Sequence, residues 1–148
     1  MTLTKLALMA TTAIFAAGTA MAEGKVKVGM ITTLSGGGAG LGIDARDGFM
    51  LALKLSGTEN VEVVIEDDQQ KPEIAVQLAD KLIQSENVDV MTGIIWSNLA
   101  MAVVPSAVAQ DKIFLSVNAG PSALAGANCH PNYFNVAWQN DNLHEAAG

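Results

Sequence analysis

The chain has 148 residues, with 15 acidic against 8 basic side chains and a formal charge of -7. That balance argues against a nucleic-acid partner, because holding phosphates takes clustered Lys and Arg, and at its plainest it serves solubility. One cysteine, Cys129, leaves a lost partner, a disulfide between chains and a buried thiol all open.

The N-terminus is read apart from the rest. "MTLTK" carries a single cation, Lys5, and is followed by the apolar run "LALMATTAIFAAG" and then "TAMA", where Ala20 and Ala22 form a small-x-small cleavage site. Charge, short apolar core and A-x-A site in that order predict a secretory signal peptide over residues 1–22, with a mature chain starting at Glu23. The apolar run is shorter than the roughly 20 residues a membrane span needs, and no cysteine follows the cleavage site to carry a lipid. A soluble exported protein without a membrane anchor is expected. Its length suits one domain, by the usual roughly 100–200 residues each.

Along the mature chain, strand-like and helix-like segments alternate. "KVKVGMI" (25–31) and "VEVVIE" (61–66) read as strands, "VDVMTGII" (88–95) and "KIFLSV" (112–117) as strands buried on both faces, and "YFNVAW" (133–138) as a fifth. Between them, Ala45, Phe49 and Leu53 stack at helical spacing. Ile74, Ala75, Leu78, Ala79 and Leu82 form a second apolar face behind Pro72, which suits a first turn. Leu99, Val103 and Ala107 share a third, and Pro105 predicts a kink or an early helix end there. Strand and helix in alternation imply right-handed βαβ units, hence an α/β fold with a parallel, Rossmann-like sheet and helices on both faces. Ligands of such sheets sit beyond the carboxyl ends of the strands, where strand order reverses. The loops of interest are therefore Thr32 to Gly42, Trp96 to Asn98, and Asn118 to Ser122.

The glycine-rich "TLSGGGAGLG" invites a phosphate reading, which fails. A P-loop needs Lys and Ser or Thr after its last glycine, but Ile43, Asp44 and Ala45 follow Gly42. The G-x-G-x-x-G fingerprint meets Leu41, Ile43 or Ala45 where its third glycine belongs. No nucleotide cofactor is expected, nor any other. What remains is a loop thin enough for backbone to approach a ligand, with Ser35 offering a hydroxyl and Leu41 an apolar wall, or else a solvent loop in which Ser35 caps a turn. In "IIWSNLAMA", Ser97 or Asn98 is placed to cap the next helix. That helix start is either a carboxylate site beside a stacking Trp96, or an ordinary cap beside a core tryptophan. After the fourth strand, Asn118, Ala119 and Gly120 either present backbone to a small polar ligand or form a tight turn. The pair Asp67–Asp68 caps the "KPEIA" helix or solvates an edge more readily than it holds a metal. Cys129, His130, Asp141 and His144 lack zinc spacing, and no G-x-S-x-G elbow marks a nucleophile. No catalytic constellation or metal site is expected.

Together, "KVKVGMITTLSGGGAGLG", "DARDGFMLAL", "VEVVIEDDQQKPEIAVQLADKLI" and Gly93 with Ser97 after the third strand resemble a type I periplasmic binding protein. The pattern is most similar to the branched-chain amino-acid (leucine/isoleucine/valine) binding proteins of ABC importers, from Lys25 to about Asp141. The resemblance implies a non-enzymatic, periplasmic solute carrier that serves an ABC permease in the inner membrane. It puts the ligand pocket on the three loops already singled out: Ser35 and Leu41; Trp96, Ser97 and Asn98; and Asn118, Ala119 and Pro121. Ser97 matches a carboxylate-binding Ser, and Ala119 a residue that binds through its backbone. Pro121 stands where the family's amine-binding Thr is expected and has neither hydroxyl nor N–H, while Leu41 replaces an aromatic wall. "AGLGIDARDGF" and "WQNDNLHEA" resemble instead a branch that binds aromatic carboxylic acids. Full members close two lobes on their ligand like a hinged trap and are more than twice this length. The chain is therefore expected to be an N-terminal lobe (residues 23–148) with the second lobe largely absent. A sensor domain of the same fold, or a truncated fragment outside transport, is the alternative.

Overall fold

The computed structural model describes residues 24–148; the signal-peptide reading of residues 1–22 lies outside the described residues. Five strands, β1 (Val26–Thr32), β2 (Val61–Asp67), β3 (Val90–Thr92), β4 (Ile113–Ser116) and β5 (Tyr133–Asn135), form one sheet in the order β2-β1-β3-β4-β5. Every neighbouring pair runs parallel. The connecting helices are α1 (Ala39–Ser56), α2 (Pro72–Asp80), α3 (Ser97–Ala109) and α4 (Ser122–Ala125), and α5 (Asn140–Ala147) follows β5. The expected α/β class and parallel sheet are therefore present.

From β1 the chain steps outward to β2, then back across β1 to β3 and onward. With right-handed crossovers, α1 lies on one face of the sheet and α2 and α3 on the other. Side chains alternate along each strand. One row, Gly29–Met91–Phe114–Tyr133, therefore faces α2 and α3, and the adjacent row, Met30–Thr92–Leu115–Phe134, faces α1. The first face holds the core, where Leu82, Val88, Met91, Leu99, Val103 and Phe114 are fully buried. Pro72 opens α2 in its first turn, as expected, and α2 runs on into a π-helical segment (Lys81–Ser85) closed by Glu86 N–H donating to the Lys81 carbonyl at 3.1 Å.

Three local expectations need correction. The first helix starts at Ala39, so Gly40, Leu41 and Gly42 belong to α1 and not to a loop. Its first turn rests on the end of β1, where any side chain at residue 42 would collide with the Thr33 carbonyl, so Gly42 serves helix-to-strand contact. The third strand ends at Thr92, short of Ile95, because Gly93 has φ 101°. That left-handed backbone leaves the ladder, and a Cβ there would also sit 2.7 Å from Met30 Cγ. Finally, α3 does not end early at Pro105 but continues to Ala109.

Candidate functional site

The strand order reverses at β1 and β3, so their carboxyl ends flank the position where open α/β sheets take ligands. Two chains of hydrogen bonds are built there. In the first, Trp96 Nε1 donates to Thr33 Oγ1 at 2.9 Å, and Thr33 Oγ1 donates to Asp68 Oδ1 at 2.6 Å. Asp68 Oδ1 also accepts from the Gln70 amide at 2.8 Å. Thr33 and Asp68 are fully buried, and Asp68 Oδ2 has no partner among the described residues. The Trp96 ring lies against Gly38, where a Cβ would approach its Cζ2 to 2.5 Å. Trp96 is thus a half-buried strut that ties the loop after β3 to the loops after β1 and β2.

Asp67 and Asp68 accordingly do not cap α2, whose N-cap is Lys71, and Asp68 solvates no edge. Asp67 Oδ1 accepts from the amides of Leu34 at 2.8 Å and Gln69 at 2.9 Å. Burial alone would raise its carboxyl, but the Ser35 hydroxyl and the Leu34, Gln69 and Ser35 amides together hold it below its ordinary value. Ser35 itself is exposed, as are Asn98 and Leu41, the last on α1 with 52% of its surface open. Among the described residues no group of three His, Cys, Asp or Glu side chains is arranged for a metal. Cys129 is exposed, so the buried-thiol reading does not hold.

The second chain joins α3 to the loop after β4 and to α5. Neither Ser97 nor Asn98 caps α3; the N-cap is Trp96, with extended backbone and no side-chain cap, and Ser97 is the first helical residue. Its half-buried Oγ accepts from Asn140 Nδ2 at 3.0 Å. Asn118 Nδ2 donates to the Ile95 carbonyl at 2.9 Å, so this side chain staples two loops together. Ala119 is buried, and its carbonyl accepts from Ser116 Oγ and from the Tyr133 hydroxyl at 3.4 Å. Burial pushes the Tyr133 phenol above its ordinary value, which keeps it a donor. Pro121 is buried as the N-cap of α4.

Counting donors and acceptors defines what this edge can do. The carbonyls of Ile94, Ile95, Ala119, Gly120 and Pro121 all already accept a hydrogen bond. Ser97 Oγ is an acceptor to Asn140, so its own proton stays uncommitted. The first amides of α3 have no intrahelical acceptor and carry the positive end of the helix dipole. The edge therefore presents free donors at the start of α3, while its carbonyls each already accept one hydrogen bond and Asp68 Oδ2 remains an unpartnered acceptor among the described residues.

The structure therefore brings Trp96, Ser97, Asn118, Ala119 and Pro121 together, and leaves Leu41 on a helix and Asn98 in solvent. Thr33, Asp68 and Asn140 are the residues that sequence reasoning did not assign to it. The strand-end rule had placed Thr33 within a loop of interest, and an acid directly after β2 was visible. Nothing local marks Asn140, which lies 43 positions from Ser97.

A five-stranded parallel sheet with helices on both faces defines an α/β lobe. The periplasmic binding protein family matches residues 25–148, and the chain belongs to it. This is a family of binding proteins, not enzymes. Among solved structures, an ABC transporter solute-binding protein from R. palustris in complex with benzoate is 34% identical, with a TM-score of 0.80 over 83% of this chain and 35% of its own. An ABC transporter substrate-binding protein from Sphaerobacter thermophilus is 31% identical, with a TM-score of 0.75 over 83% of this chain and 37% of its own. A branched-chain amino acid transporter substrate-binding protein from Streptococcus pneumoniae, in complex with isoleucine, shares the fold at 22% identity and a TM-score of 0.70, over 78% of this chain and 34% of its own. The chain thus spans little more than a third of the length of these relatives. A comparison with curated proteins returns no match. No helix among the described residues is long and apolar enough to cross a membrane.

Proposed function

We propose that this chain is the N-terminal lobe of an exported, periplasmic solute-binding component of an ABC importer, and that it takes an aromatic carboxylate in preference to an α-amino acid. The solute carboxylate meets the Ser97 hydroxyl and the first amides of α3, beside Trp96 and the backbone at Ala119. Ser35 stands on the far lip, Pro121 and Asn118 shape the near one, and the permease in the inner membrane receives the solute. A second lobe closes the trap.

The observation that carries this reading is the set of uncommitted donors at the start of α3, the first amides and the Ser97 hydroxyl proton. An α-ammonium needs acceptors, and the carbonyls at the strand ends each already accept a hydrogen bond while Pro121 offers no hydroxyl where the family's amine-binding Thr is expected. A carboxylate needs only donors, and the start of α3 presents them. The benzoate-bound relative, at 34% identity, supports the same choice.

The test is a thermal-shift and calorimetric screen of the chain with benzoate, 4-hydroxybenzoate and isoleucine. Benzoate or its hydroxylated analogue should raise the melting temperature, and isoleucine should not. Ser97→Ala should weaken benzoate binding by about 1.5–3 kcal/mol, the loss of one hydrogen bond to a charged group. A shift with isoleucine alone, or an unchanged affinity in Ser97→Ala, would overturn the assignment.

A further inference from the structure

Asn140 stands at the first position of α5, directly after the segment that leaves β5. Its backbone N–H donates to the Gly120 carbonyl at 2.8 Å, and its side-chain Nδ2 donates to Ser97 Oγ at 3.0 Å. The segment before it is folded onto the same loop. Asn135 Nδ2 donates to the Trp138 carbonyl at 2.6 Å, the Ala137 amide donates to Asn135 Oδ1 at 3.0 Å, and a side chain at Gly120 would collide with the Trp138 carbonyl. The amide of Asn140 is therefore held from both sides, and it is aimed at the one hydroxyl on which the carboxylate reading depends.

A serine hydroxyl is ambivalent. It donates to a carboxylate as readily as it accepts from an ammonium. An amide N–H has no lone pair to offer and can only donate. While Asn140 donates to Ser97 Oγ, one of that oxygen's two lone pairs is taken and its proton points elsewhere, and the polarisation strengthens its donation and weakens further acceptance. We propose that Asn140 is a specificity-determining positioning residue: by donating to Ser97 Oγ it biases that hydroxyl towards donation, so the site favours a carboxylate over an ammonium. This rests on the reading that Ser97 meets the solute.

Neither α3 nor the residues from Asn118 to Ala125 carry a titratable side chain, and those of α5 (Asp141, His144 and Glu145) are exposed. Affinities compared at one neutral pH are thus read without a competing titration in contact with the pair. The experiment measures benzoate and benzylamine affinities of the chain at pH 7 in wild type, Asn140→Ala, Asn140→Asp, Ser97→Ala and the double variant Ser97→Ala/Asn140→Ala. Melting curves confirm that each folds, and Asn140→Asp is close enough in shape to keep the test open if the alanine variant does not.

Asn140→Ala should weaken benzoate by about 3–10-fold, the worth of one hydrogen bond, and lower the benzoate-to-benzylamine ratio by the same factor. A merely structural loosening would leave that ratio where it was. Asn140→Asp, whose carboxylate accepts the Ser97 proton, should lower the ratio further. In the Ser97→Ala background, Asn140→Ala should change nothing. An equal loss in both backgrounds would make Asn140 a direct solute contact and overturn the proposal, as would an unmoved ratio. If Ser97→Ala leaves benzoate affinity intact, or wild type binds neither compound, the carboxylate reading falls and takes this one with it. If Ser97→Ala weakens binding and Asn140→Ala does not, only the role of Asn140 falls.

Discussion

On one face of the sheet, Met91 and Phe114 lie completely buried beneath α2 and α3. On the other, Ile113 and Phe134 keep 40% and 49% of their surface exposed, and the single covering helix, α1, buries only Gly42. Both faces are written in apolar residues, so hydrophobicity alone does not separate them. What separates them is cover. Two helices cross β3 and β4 on the first face, whereas on the second α1 spans only the connection from β1 to β2. The stripe Ala45, Phe49 and Leu53 of α1 is half-buried, and Leu51 and Leu55 point away from it at 55% and 77% exposure. The stabilising apolar transfer is therefore concentrated on one side. The edge formed by the strand-end loops lies at the seam between the two faces, carried by loops whose positions depend on both.

The strongest way to break this comparison is to empty the dry face. Phe114 is fully buried and lies 6.3 Å, centroid to centroid, from the half-buried Tyr133 ring. Phe114→Ala removes the ring and leaves a cavity that α2 and α3 cannot fill without moving. It should cost about 3–5 kcal/mol, read as a lower urea midpoint at unchanged slope. A loss under about 1 kcal/mol would mean that this face is not the core.

Next in size is the point where α1 touches β1. Gly42→Ala drives a methyl group into the Thr33 carbonyl and to 2.8 Å from Thr32 Oγ1, so backbone has to yield on one side. The expected cost is about 1–3 kcal/mol, the usual range for overpacking. Thr33 carries the hydrogen bond from Trp96, so indole emission should shift even while the protein is folded; a Trp138→Phe background isolates the signal to Trp96. A destabilised variant with unmoved emission would show that the contact of α1 is independent of the site.

How much of this was legible in the sequence follows from range. Alternation of strand and helix and Pro72 opening α2 are consequences of local pattern, and they stand. The start of α1 escapes local pattern because propensity penalises Gly40 and Gly42 in a helix, whereas the value of Gly42 lies in a tertiary contact with Thr33. Asp68 looked like a cap or an edge group because acids usually are; its burial is a product of Thr33 and Gln70 converging on it. Ser97 reads as a cap from its residue type, but the cap position is taken by Trp96 and Ser97 is the first helical residue. Asn140 and Ser97 meet only because α5 is laid against α3 after β5, which is invisible until the chain is folded.

The smallest expected effect is also the sharpest control. Leu55, near the end of α1, has 77% of its surface exposed, so replacing it by Ser surrenders almost no burial. Ser is a slightly poorer helix former than Leu, by a few tenths of a kcal/mol. Leu55→Ser should therefore change unfolding stability by no more than about 0.5 kcal/mol, the usual range for surface positions. The measurement is worth repeating across protein concentration. If the open face pairs with another copy in solution, wild type should melt higher at high concentration, and Leu55→Ser should lose that dependence. A loss above about 2 kcal/mol at every concentration would show that α1 is covered within the chain, and the contrast between the two faces would then have to be abandoned.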